Sequence, residues 1–96
     1  MPKYDCEMGD PLIMLAEECA EVIQAVMKAK RFGLTGAPGY TGMIPREEIL
    51  KEVGDVLACV ALVRDKYDFL FPYELEIATE EKLDKIRQYF RKPERV

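Results

Sequence analysis

Four acidic residues, Glu18, Glu21, Glu52 and Asp55, stand in two pairs with the same three-residue spacing. On a helix that spacing sets the two carboxylates of a pair about 5–6 Å apart at Cβ. The segments carrying them repeat one design. Residues 15–26, LAEECAEVIQAV, and 49–60, ILKEVGDVLACV, both read glutamate, apolar, small, acid, valine, aliphatic, then a valine three residues on. Glu18 matches Glu52, Ala20 matches Gly54 and Glu21 matches Asp55, at a constant offset of 34 residues. Two copies are too few for a solenoid, so the repeat points to a pseudo-symmetric pair of helices. Left alone, four such acids repel one another, and a divalent cation reverses the sign of that interaction. An all-oxygen ligand set selects Mg²⁺, with Mn²⁺ as the alternative, over zinc. Mg²⁺ commonly keeps waters and takes up substrate phosphates, which makes a metal–nucleotide site chemically reasonable. The competing reading is an ordinary solvated helix face. It is weakened by the register of the acids, by the small residues beside them, and by the scarcity of basic partners, Lys51 being the local exception.

The elements that must position these acids are helices. Asp10-Pro11 has the form of a cap followed by proline at the first helical position. Leu12, Leu15, Ala16, Cys19, Val22, Ile23, Val26 and Met27 then recur on one helix face. Gly33, after Lys28, Lys30 and Arg31, ends a first helix of about residues 11–32. Residues 33–45, GLTGAPGYTGMIP, form a glycine- and proline-rich loop, read as a connection, with a substrate lid as the alternative. It is no Walker A loop, since no Gly-Lys-Ser/Thr follows. Pro45 opens a second helix of about 46–67, with Ile49, Leu50, Val53, Val56, Leu57, Val60 and Ala61 as its stripe. Ala58, Cys59, Leu62 and Val63 make its second half apolar all round, which calls for burial on every side. A lone hairpin does not supply that, so a third helix and a partner subunit are expected. Pro72 begins the third helix, about 73–91, either continuous or broken near Thr79, where Glu80 and Glu81 follow a residue suited to a cap. The KPERV tail is expected to fray. Glu18 and Glu52 each fall roughly 100° from the centre of their apolar stripes, with Glu21 and Asp55 further round. Packing stripe on stripe would therefore turn both pairs towards one cleft on the flank of the hairpin. The expected fold is all-α: an antiparallel helical hairpin plus a third helix, assembling into a helical bundle through oligomerisation.

Composition narrows the chemistry. At 96 residues the chain is expected to form a single domain, 1–96. With 49% apolar and 33% charged residues it is expected to be well ordered. A net charge of −4 excludes the basic face of a duplex-binding protein, so no nucleic acid polymer is expected as partner. The absence of histidine removes His-based acid/base catalysis, Ser/His and Cys/His pairs, and the usual zinc and iron sites. A carboxylate di-iron bundle is set aside on the same ground, because that design uses Glu-x-x-His pairs. Cys6, Cys19 and Cys59 form no CxxC pattern and read as reduced thiols of a cytoplasmic protein, the latter two as small core residues. The apolar run 56–63 is far too short for a membrane span, and the first residues lack the apolar stretch of a signal peptide.

Glu17-Glu18-Cys19-Ala20-Glu21 followed by Glu52-Val53-Gly54-Asp55 resembles the EExxE…ExxD signature of the all-α nucleoside triphosphate pyrophosphohydrolases, in particular the MazG-like group. The resemblance covers residues 12–64 well and the third helix loosely. It implies Mg²⁺-dependent hydrolysis of a nucleoside triphosphate between the α and β phosphates, giving the monophosphate and pyrophosphate. By motif position Glu18, Glu21, Glu52 and Asp55 would be the metal ligands. Glu17 and Glu18 would serve catalysis, Glu17 as an accessory acid that supports the site or orients the attacking water. Lys28, Arg31, Lys82 and Lys85 would meet the phosphates, Lys28 foremost because it lies on the acidic side of the first helix. Family members assemble as dimers or tetramers, so a homodimer or homotetramer is expected. A phosphoribosyl-ATP pyrophosphohydrolase has similar length and acids, although Gly54 and GDVLACVALV are closer to the MazG-like form. A non-enzymatic helical interaction module is the reading of a different class, and it requires no metal. Tyr40, Tyr67 and Phe69 could stack on a base but are expected to serve packing.

Overall fold

The computed structural model describes residues 9–39 and 41–90. Cys6, Tyr40, the KPERV tail and the start of the chain lie outside these residues, together with the expectations attached to them. Three helices follow in order: α1 (Pro11–Phe32), α2 (Pro45–Tyr67) and α3 (Pro72–Phe90). No strand occurs among the described residues, so the all-α expectation holds. The break considered near Thr79 is absent. No glycine or proline interrupts residues 73–90, and the hydrogen-bond ladder of α3 runs through them unbroken.

The helix ends follow from local chemistry. The Asp10 carboxylate accepts the Leu12 N–H at 2.8 Å, and Pro11 fills the position where no donor is needed. Gly33 (φ 86°) turns the chain out of α1 while its N–H donates to the Ala29 carbonyl at 2.7 Å. The connection then doubles back: the Arg46 N–H donates to the Leu34 carbonyl at 2.8 Å, tying it to the start of α2. A Cβ at Gly36 would lie 2.1 Å from the Phe32 carbonyl oxygen, so only glycine fits there. At the end of α2, Asp68 adopts the left-handed conformation and Arg64 donates to the Leu70 carbonyl at 2.8 Å. The Glu74 side chain accepts the Phe71 N–H at 2.8 Å and starts α3.

α1 and α2 form an antiparallel hairpin, and α3 makes no comparable contact with either. Both ends of the hairpin are fastened. Tyr67 donates to the Asp10 carboxylate, which also faces the Lys66 ammonium at 3.7 Å. At the loop end, Lys28 lies 3.7 Å from Glu48.

The seam between the helices differs from the one expected. It runs through Leu15, Glu18, Val22, Ala25 and Ala29 of α1, and through Glu48, Glu52, Asp55, Cys59 and Val63 of α2, all buried or half-buried. Val63 is wholly buried. Each helix is thus turned by roughly a quarter to a third of a revolution from a stripe-on-stripe arrangement. The acids lie in the seam itself, not on its flank. Much of the apolar stripe instead faces outward: Ile23 is 64% exposed, Leu50 74% and Leu57 62%. Small residues at Ala25 and Ala29 let the helices approach on the acidic side, whereas a Cβ at Gly54 would meet nothing within 4 Å. The small residues beside the acids therefore give no close approach within this chain at position 54.

The molecule measures 59 × 38 × 14 Å, with a radius of gyration of 17.0 Å. A compact chain of this length has a radius of gyration of about 13 Å, so the chain is elongated, with α3 set apart from the hairpin.

Candidate metal centre

Turning the acidic faces inward has a direct electrostatic result. One carboxylate oxygen from each of Glu18, Glu52 and Asp55 lies within 4.8 Å of the others, across the seam. Among the described residues this is the one cluster of three potential metal-ligating side chains. Its counter-ion is Lys51, whose ammonium donates to Asp55 at 3.0 Å and lies 3.6 Å from Glu52. Three carboxylates facing one ammonium leave two negative charges uncancelled. Partial desolvation in the seam, then the charges of Asp55, Glu52 and Glu21, raise the pKa of the Glu18 carboxyl above its ordinary value. The Lys51 pKa is raised in turn, first by its hydrogen bond to Asp55 and then by the charges of Asp55 and Glu52. Burial, followed by Glu18 and Asp55, raises that of the Cys59 thiol, which therefore stays protonated beside the acids.

The other residues singled out from sequence fall in different places. Glu21 stands outside the triad but close enough for its charge to act on Glu18. It lines a polar groove leading away from the triad towards the loop, together with Gln24, Lys28, Glu48, Lys51 and Glu52. Lys28, half-buried there, joins Glu48 in linking the two helices. Glu17 is exposed and takes no part in the triad, as follows from its place one residue, about 100°, round the helix from Glu18. Arg31 is exposed on the last turn of α1. Lys82 and Lys85 line a shallow groove on α3 with Ala78 and Glu81, and that groove contains none of the four acids.

Glu48 escaped the sequence reading. It is the buried charged side chain among the described residues, 8% exposed, and it accepts a hydrogen bond from the Thr41 hydroxyl at 2.7 Å. The signal was present, since Glu48 precedes Glu52 by one helical turn on the same face. It has no counterpart in the internal repeat, where Met14 stands at the matching position.

The donor set fits a hard divalent ion. It offers carboxylate oxygens from two elements, and the described residues include no histidine. The chain belongs to the MazG nucleotide pyrophosphohydrolase domain family, whose model matches residues 10–95. Nucleotide pyrophosphohydrolysis is therefore the general class of activity. No curated protein and no solved structure shows significant similarity to the chain. No described helix is long and apolar enough to cross a membrane.

Proposed function

We propose that this chain hydrolyses a nucleoside triphosphate between the α and β phosphates, releasing the monophosphate and pyrophosphate, and depends on Mg²⁺ or Mn²⁺ to do so. The observation that carries the reading is the Glu18–Glu52–Asp55 triad, drawn from two helices with Lys51 as its counter-ion, in a chain of this family. Glu18, Glu52 and Asp55 would hold the ion, with Glu21 completing the set from the adjoining groove. Once bound, a divalent ion neutralises phosphate charge, orients the scissile bond and activates water. Lys51 and Lys28 line the groove that leaves the triad, where they would meet the phosphate tail. Glu17 would act from the exposed side, where it could orient water without ligating. Arg31 would lie at the loop end of the same hairpin, whereas Lys82 and Lys85 lie on α3 apart from the triad, so any contact of the two lysines with substrate would need a second subunit or a rearranged α3.

A second subunit is part of the proposal. Domains are built around one hydrophobic core, and this chain leaves much of its apolar stripe exposed. A homodimer or homotetramer that stacks hairpins on that stripe would bury it, and it would do so without covering the seam that holds the acids.

The test is release of pyrophosphate from a panel of nucleoside triphosphates with and without Mg²⁺. Wild-type protein is expected to release pyrophosphate only with the metal, and Glu52→Gln or Asp55→Asn to abolish release while keeping helical circular dichroism. Metal-independent release, or full activity in both variants, would contradict the assignment.

A further inference from the structure

Beyond the polar groove lies a cavity of different character. It has a volume of about 310 Å³ and sits between the end of α1, the glycine-rich connection and the start of α2. Phe32, Ala37, Pro38, Met43 and Pro45 give it an apolar lining, and its charged residues are Lys28 and Glu48. Small-molecule sites have this composition: a mostly apolar wall, a few fixed polar groups and a volume upwards of about 300 Å³.

Its position is as informative as its lining. The polar groove shares Glu52 with the triad, and shares Lys28, Met43 and Glu48 with the cavity. Triad, groove and cavity therefore follow one another along the hairpin. From Asp55 to Glu48 is seven residues of α2, roughly 10 Å at 1.5 Å rise per residue. A molecule whose anionic end lies at the triad would reach the cavity with its other end.

Glu48 gives that cavity a chemical preference. It is held from two sides, by the Thr41 hydroxyl at 2.7 Å on Oε2 and by Lys28 at 3.7 Å on Oε1. A carboxylate offers about four lone-pair positions, so acceptor capacity remains for a donor inside the cavity. A group that is flat, apolar on both faces and lined with donors on one edge suits such a space. An exocyclic amino group supplies those donors. Uracil and thymine would instead bring carbonyl oxygens, on both sides of their single N–H, against the carboxylate.

We infer that this cavity is the nucleobase site of the substrate and that Glu48 selects bases bearing an exocyclic amino group. The inference rests on the pyrophosphohydrolase reading and names the part of the substrate that reading leaves open. It makes Glu48 a specificity residue and Thr41 its positioning partner, while the glycine-rich connection forms the wall of the site.

The test compares KM and kcat for ATP, CTP, GTP, UTP and dTTP with Mg²⁺. Wild-type protein is expected to show KM values about tenfold or more lower for the amino-bearing bases, because a buried polar group left unpaired penalises the wrong base. Glu48→Gln keeps the size of the side chain and is expected to collapse that difference with kcat little changed. Should that variant fail to fold, Ala37→Trp on the exposed connection fills the cavity without touching the seam. It is expected to raise KM for every nucleotide and leave inhibition by pyrophosphate unchanged. Equal KM values in the wild type, or a preference for uracil or thymine, would overturn the inference while leaving the hydrolysis reading intact. So would an Ala37→Trp protein whose mass in sedimentation changes but whose KM does not, since a second copy would then occupy the cavity. Absence of hydrolysis with any nucleotide would remove both readings together.

Discussion

Glu18 illustrates how the site is organised at the scale of single residues. Its carboxyl pKa is raised because the ionised form is partly desolvated and faces Asp55, Glu52 and Glu21. A carboxyl with a raised folded-state pKa binds more protons in the native state than in the unfolded one, so stability falls as pH rises between the two values. The penalty is therefore complete above the folded pKa and vanishes below the unfolded one. Glu18→Gln should accordingly raise the melting temperature of metal-free protein at neutral pH, and the gain should fade as the buffer is taken down into the carboxylate range. Thermal melts across pH check this, and a gain that persisted at low pH would refute the electrostatic account. Lys51 has the opposite part. Removing it as Lys51→Met should lower the melting temperature of metal-free protein and tighten divalent-ion binding, because a positive charge no longer competes for Glu52 and Asp55. Titration calorimetry reads the second effect. The acids that meet across the seam could be picked out in the sequence because spacing and register are one-dimensional properties, although Glu21, picked out with them, stands outside the cluster. Glu48 could not be, since its importance comes from burial beside Thr41 and Lys28 and from no repeat.

Helix boundaries came out within a residue of expectation, because each is fixed by a local device: Asp10 before Pro11, Gly33 after a basic turn, proline at the start of α2 and α3. Which faces would meet was a different matter. Apolar periodicity identifies a face that must be buried but does not say against what. In this chain the seam takes the acids and the small alanines, and much of the apolar face is left for another contact. Val63 and Leu57 separate the two kinds of burial. Val63→Ala opens a cavity in the seam and should cost about 1–3 kcal/mol in denaturant unfolding at any protein concentration. Leu57→Ala should cost little in an isolated chain, since exposed substitutions usually stay within about 0.5 kcal/mol. In an assembly its cost should be largest where the protein is associated and should shrink as dilution dissociates it. The connection adds a constraint of its own. Gly36→Ala places a Cβ against the Phe32 carbonyl and should raise KM by distorting the cavity wall.

For the whole molecule, exposed apolar surface is the governing quantity. α3 packs little against the hairpin, and a chain of 11.0 kDa in that form leaves many of its large apolar side chains in water. Association is the physical remedy, and the exposed apolar side chains, Ile23 on α1 and Leu50 and Leu57 on α2, are where it should occur. Sedimentation equilibrium should give a mass at least twice that of one chain, and Leu50→Glu with Leu57→Glu should return it towards a single chain with loss of stability. A wild-type protein that stayed monomeric and stably folded would contradict this. Sequence indicated the need for a partner through the apolar second half of α2, but the surface used could be located only once the seam had been assigned elsewhere.

As proposed, Glu18, Glu52 and Asp55 would form one cation site shared between two helices. Calorimetric titration of metal-free protein with Mn²⁺, performed on wild type, Glu18→Gln and Asp55→Asn, tests it most directly, because one substitution falls on each helix. Saturable binding at or below millimolar metal in the wild type, lost in both variants with helicity retained, is the predicted result. Absence of binding in the wild type, or binding unaffected by either substitution, would contradict it.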